Sequence, residues 1–159
     1  VEPLFSIQAM ASRIIIGVGN SDRGDDAAGL EAAHLLQGLV PADVRVISYS
    51  GEITALIEQW EGATHLILID AALSGSDPGS VHCLDVSHES RPLQFSGRFS
   101  SHGIGIAEVI EMARVLNRLP PNVRIFGIEA KNFAMGAPLS PQVQGAVHQV
   151  VEEILKLLR

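Results

Sequence analysis

Two short runs limit the fold more than anything else in the chain. Residues 13–19 read RIIIGVG and residues 65–70 read HLILID. Each is too short for a packed helix, rich in β-branched residues, and closed abruptly by glycine or aspartate, which is the pattern of a strand buried on both faces. A sheet built from such strands must carry helices on both sides. The intervening sequence supplies them. Residues 26–37 hold Leu30, Ala33, His34 and Leu36 with Gly38 just beyond, an amphipathic helix ending at a glycine cap. Residues 44–48 read as a second strand, and residues 53–60 place Leu56, Ile57 and Trp60 on one helical stripe. The order βαβαβ with short connections predicts right-handed crossovers and a parallel sheet.

After Asp70 the pattern changes. Residues 74–79 (SGSDPG) are turn chemistry, and the strand expected over 80–86 follows too closely for a helical crossover, so it should run antiparallel at an edge. Residues 87–101 show no periodicity and lead to a third helix over 106–116. A last core strand is expected over 123–128 and a closing helix over 141–158, with Pro141 in its first turn. The predicted architecture is a three-layer α/β/α sandwich around a five-stranded, mostly parallel twisted sheet with one antiparallel edge strand. A length of 159 residues gives room for one such domain, expected over 10–159. Residues 1–9 lack the basic and apolar regions of a signal peptide; Met10 reads as the natural start, and what precedes it as an appended remnant or a disordered N-terminus.

Composition narrows the partners. Hydrophobic residues are 47% of the chain against 18% charged, which supports a packed core and excludes a disordered protein. A net charge of -7 and 4% aromatics provide neither the electrostatics nor the stacking platform for nucleic acid. The apolar run at 14–18 is far below the roughly 18 to 20 residues that span a bilayer, so no membrane partner is expected. One cysteine, Cys83, can form no internal disulfide, which fits a reducing cytoplasm; the expected oligomeric state is a monomer.

In an open parallel sheet, the C-terminal ends of the strands and the loops after them form the ligand crevice. Asp25 and Asp26 close the loop after the first strand, Asp70 ends the third, and His102 precedes the third helix behind Ser100 and Ser101. Each has an ordinary explanation when taken singly. Asp25 or Asp26 can cap a helix, Asp70 can start a turn, and His102 can be an exposed residue at a helix start. All three elements, however, deliver their polar group to one edge. Carboxylate oxygens and an imidazole nitrogen with positions left open suit a divalent transition ion such as nickel, zinc, iron or cobalt. The remaining histidines, among them His82, show no such grouping and read as packing or surface residues. The Gly17-Val18-Gly19-Asn20 turn is no dinucleotide fingerprint, because Asp22 stands where GxGxxG needs its last glycine.

The chain resembles the nickel-iron hydrogenase maturation endopeptidases. The likeness rests on Gly17-Val18-Gly19-Asn20 followed by Asp25-Asp26 and Gly29, on HLILIDAALSG with Pro78-Gly79 after it, on Ser100-Ser101-His102-Gly103-Ile104-Gly105, and on Gly136 to Val143 (GAPLSPQV). The blocks are collinear over residues 12–158. The resemblance implies a cytoplasmic protease, aspartic-type or metal-dependent, that removes a C-terminal extension from the hydrogenase large-subunit precursor after nickel insertion. It implies that Asp26, Asp70 and His102 contact the metal and mediate cleavage. Nickel would arrive with the substrate, and other divalent ions could fill the site in isolation. Relatives often carry Glu at the position of Asp26, and many carry an Asp after strand two where this chain reads Ser48-Tyr49-Ser50-Gly51-Glu52. Glu52 could stand in for that acid in catalysis, or serve as a helix-start carboxylate. Two other classes share parts of the pattern. A peptidyl-tRNA-hydrolase-like enzyme begins with a similar GxGN turn, but its catalytic histidine is missing from residues 23–26. A non-catalytic metal- or nucleotide-binding module would need only the crevice.

Overall fold

The computed structural model describes residues 13–86, 97–99 and 105–159. Six strands among these residues form one sheet: β1 (Arg13–Val18), β2 (Val44–Tyr49), β3 (His65–Leu73), β4 (Val81–Asp85), β5 (Arg98–Phe99) and β6 (Asn122–Glu129). The order is β2-β1-β3-β6-β4, with β5 paired to β3 off this path. β1, β2, β3 and β6 are mutually parallel, whereas β4 runs antiparallel to β6 at the edge. Among the described residues four α-helices flank the sheet: α1 (Ala28–Leu36), α2 (Leu56–Gln59), α3 (Ile106–Val115) and α4 (Pro141–Leu157).

Strict alternation along the central strands divides the core in two. Ile15, Ile67, Ile69, Phe126 and Ile128 face α1 and α4, meeting Ala28, Leu36, Val143, Val147 and Val150. Ile14, Ile16, Leu66, Leu68, Val123 and Ile125 face the other way, against Leu56, Trp60, Ile106 and Ile110. The short α2 is anchored by Trp60, which is 1% exposed and donates its indole N–H to the Arg118 carbonyl at 2.9 Å. Every described strand and helix expected from sequence is present.

Three details differ from expectation. The first helix begins as a 3-10 turn, Gly24–Ala27, before the α-helical part. β3 continues three residues past Asp70, because β6 pairs with it as far as Ala72↔Glu129. The sheet also gains a sixth strand inside the segment expected to be loop. Beyond Ile69, where β1 stops pairing, Ala72 and Leu73 pair with Phe99 and Arg98 of β5. Two residues are too few to show periodicity, so β5 leaves no pattern to read. The expectations for residues 1–9 and for His102 fall outside the described residues.

Candidate active site

The GxGN turn exists because α1 lies almost directly on the sheet. A Cβ on Gly17 would overlap the Gly29 carbonyl oxygen, and one on Gly29 would overlap the carbonyl oxygens of Ile69 and Val18. Only glycine at both places lets helix and strands touch through their backbones. Gly19 does the same one step later, where a Cβ would meet the carbonyl oxygen of Asp26. That carbonyl accepts the Asn20 N–H at 3.2 Å, and the Asn20 side chain in turn accepts the Asp22 N–H at 2.9 Å. The motif is therefore a packing device that presses the Asp25-Asp26 turn against β3, with which it is in contact.

The adjacent acids have different surroundings. Asp25 is fully buried, and its carboxylate accepts four hydrogen bonds: Lys131 N at 2.8 Å, Asn132 N at 2.9 Å, Ser140 N at 2.7 Å and Ser140 Oγ at 2.8 Å. Three of these donors meet Oδ2 and one meets Oδ1, so the carboxylate is committed to groups of this chain. Ser140 is the N-cap of α4 and makes no capping bond with its side chain; its hydroxyl donates to Asp25 instead. Asp25 thus caps no helix of its own and ties the loop after β6, and the start of α4, to the loop after β1. Asp26 is buried too, at 5% exposure, with Arg23 Nη1 at 3.9 Å from its Oδ2.

Asp70 lies within β3 and is fully buried. Its Oδ1 accepts the following Ala71 N–H at 2.8 Å. Alternation puts it on the face of Leu66, Leu68 and Ala72, the face covered by α2 and α3. Its cross-strand neighbour is Gly127. The first turn of α3 is closed by Glu108, whose carboxylate accepts the Gly105 N–H at 2.9 Å, three residues after His102 in the chain. Among the described residues no three His, Cys, Asp or Glu side chains form a group able to hold a metal ion, and His102 lies outside them. Glu52 is exposed at the start of a 3-10 turn, where its carbonyl accepts the Tyr49 hydroxyl. Burial, aided by the charges of Glu52 and Glu58, pushes that phenol up.

A second polar cluster occupies the same edge and escapes the sequence pattern. Glu129, 2% exposed, accepts the Ser74 hydroxyl at 2.6 Å, the Ser74 N–H at 2.9 Å and approaches His82 Nε2 at 3.0 Å. Burial pushes its carboxyl up, but the two Ser74 bonds and His82 outweigh burial and hold it below the ordinary range. It is not a nucleophilic triad, because the serine and the glutamate share one imidazole nitrogen. The available signal was an acid closing an apolar strand, NVRIFGIE, as Asp70 follows HLILI. A cavity of about 400 Å³ opens at the opposite edge, between Arg13, His65, Asn122 and Leu158. It lies at the N-terminal ends of the parallel strands, away from these acids and from the edge where such sheets bind ligands.

The hydrogenase maturation protease family model matches residues 30–157, from the first turn of α1 to the end of α4. The chain belongs to the hydrogenase maturation protease family. It is 26% identical over 149 residues to hydrogenase 2 maturation protease of Escherichia coli K12, covering 92% of this chain and 90% of that protein. It is also 26% identical to the hydrogenase expression/formation protein HupD of Bradyrhizobium diazoefficiens, over 91% of this chain and 77% of that one. Among solved structures, the [NiFe] hydrogenase maturation protease HybD from Thermococcus kodakarensis superposes with a TM-score of 0.70 at 26% identity, over 92% of this chain and 99% of that one. An Escherichia coli endopeptidase shares the fold with a TM-score of 0.75 at 23% identity, over 92% of each chain. This maturation endopeptidase has no helix among the described residues long and apolar enough to cross a membrane.

Proposed function

We propose that this protease cleaves the C-terminal extension from a nickel-iron hydrogenase large-subunit precursor, and that it reads the inserted nickel through Asp26, Asp70 and His102. The observation that carries this is the burial of Asp70 inside β3, on the face that α3 covers. Asp26 rides on the turn packed against the same strand, and His102 stands in the stretch that leads into α3. Asp25, whose carboxylate already accepts four hydrogen bonds within the chain, is left out of the ligand set.

Nickel is cargo in this scheme. It comes already held by the precursor, and the protease adds two hard oxygens and one borderline nitrogen, a set that suits nickel. Those contacts exist only with loaded precursor, so they supply a differential affinity between loaded and empty forms. A checkpoint needs nothing more. The chain's own acids are then placed to orient the scissile peptide beside the ion and to accept a proton from the attacking water. Cys83 is exposed on the edge strand β4 and takes no part. The reaction is placed in the cytoplasm.

The test is processing of a nickel-loaded large-subunit precursor, followed by the gel shift that marks loss of the extension. His102→Ala and Asp70→Asn should fold, by circular dichroism, and leave the precursor uncut. Normal cleavage by either variant would refute the assignment. Equal cleavage of loaded and nickel-free precursor by the wild type would refute the checkpoint.

A further inference from the structure

Arg23 sits on the loop between β1 and the 3-10 turn, and its guanidinium meets two groups. Nη1 is 3.9 Å from Asp26 Oδ2, and the guanidinium carbon is 5.7 Å from the centroid of the Phe133 ring. The side chain is sheltered, with 20% exposure against 7% for Asp26. The backbone fixes this arrangement. Arg23 N–H donates to the Asn20 carbonyl and its own carbonyl accepts the Asp26 N–H at 3.0 Å. Gly24 follows at φ +55, where a Cβ would overlap the Asn132 carbonyl oxygen. Phe133 belongs to the loop whose Lys131 and Asn132 N–H groups donate to Asp25. Guanidinium and ring are therefore brought together by the same knot that places Asp26.

A permanently charged group beside a carboxylate does two things. It compensates the buried negative charge, and it repels any other cation that approaches the same oxygens. Shelter from solvent weakens screening of both effects. The ring offers the guanidinium a second seat that keeps it in the crevice without holding the carboxylate. We propose that Arg23 is a charge gate on Asp26. It serves as the counter-ion in the absence of precursor, suppresses capture of free divalent ions, and slides along Phe133 when docking delivers nickel. The protease then responds to metal presented inside a precursor and not to metal in solution. This inference rests on the assignment of Asp26 and Asp70 to the metal.

The test is calorimetric titration of nickel chloride into metal-free wild type, Arg23→Gln, Arg23→Lys, Asp70→Asn and the Arg23→Gln/Asp70→Asn double variant. A neighbouring charge changes the proton affinity of a carboxylate by about one to three orders of magnitude. Nickel affinity should rise at least about tenfold in Arg23→Gln, stay near wild type in Arg23→Lys, and lose the gain in the double variant. Arg23→Met carries the same expectation if the glutamine variant does not fold. Equal affinity in wild type and Arg23→Gln, with both lost on Asp70→Asn, would overturn the gate and leave the metal assignment standing. Absence of nickel binding in every variant would overturn both.

Discussion

Asp25 holds two loops and a helix start with one side chain, so its removal should be costly in a way that can be worked out. Asp25→Ala strands four donors. Ser140 N and Oγ are buried with it, and each loses its partner out of reach of water; such a group costs about 1–3 kcal/mol. Lys131 N and Asn132 N are only part-buried, so water recovers much of their loss and about 0.5–1 kcal/mol remains for each. Allowing for non-additivity within one cluster, the total is about 3–6 kcal/mol. That is a large part of the roughly 5–15 kcal/mol that stabilises a domain. At about 2–4 °C per kcal/mol for a chain of this size, Tm should fall by about 6–24 °C. Asp25→Asn should lose about half as much, since an amide keeps one acceptor oxygen but turns an NH2 toward the donors. Urea unfolding of the two variants and wild type, with a common m-value, is the measurement. A loss below about 1 kcal/mol for Asp25→Ala would refute the structural role given to Asp25, and with it the argument that separates it from Asp26.

Gly29→Ala puts a methyl group on two backbone carbonyls, those of Ile69 and Val18. It should destabilise the fold by about 3 kcal/mol or more by forcing α1 off the sheet; a Tm within 2 °C of wild type, on the order of experimental error, would contradict the contact. Glu129 has a carboxyl held below its ordinary value of 4.5. Its contribution is present above that value and is lost as pH falls through the lower, folded-state value. Stability of the wild type should therefore drop more steeply below about pH 4.5 than that of Glu129→Gln. Parallel pH profiles from denaturant titrations would show that the Ser74 and His82 contacts do not matter.

The layered fold was legible because its signals are local and strong. RIIIGVG and HLILID cannot be comfortable anywhere except between two helical layers, and SGSDPG could only turn the chain back. What was not legible depends on pairing between distant segments. β3 outlasts HLILID because Glu129 lies across from Ala72, and nothing around Asp70 encodes that partner. Arg98–Phe99 can pair with β3 because β1 stops pairing at Ile69, three residues before Ala72. Asp25 and Asp26 are the same residue type in adjacent positions, and donors more than a hundred residues away give them different surroundings. Glu129 was missed because the last strand seemed to end one residue before it. Once it is included, Ser74, Glu129 and His82 form a second polar group beside the proposed one. His102 follows the sequence argument alone.

The glycine seam between α1 and the sheet has a consequence for how such a site can be adjusted. Where Gly17, Gly29 and Ile69 meet, the layers touch through backbone carbonyls with the Ala33 methyl as the nearest side-chain atom, so ordinary core substitutions, which widen or narrow a protein by a methyl group at a time, have little there to act upon. The spacing between the backbones that bear Asp26 and Asp70 behaves as a fixed ruler. If these two carboxylates share an ion as proposed, changing their bite is left to the reach of the side chains themselves, and the exchange of Asp for Glu at position 26 is the smallest step available.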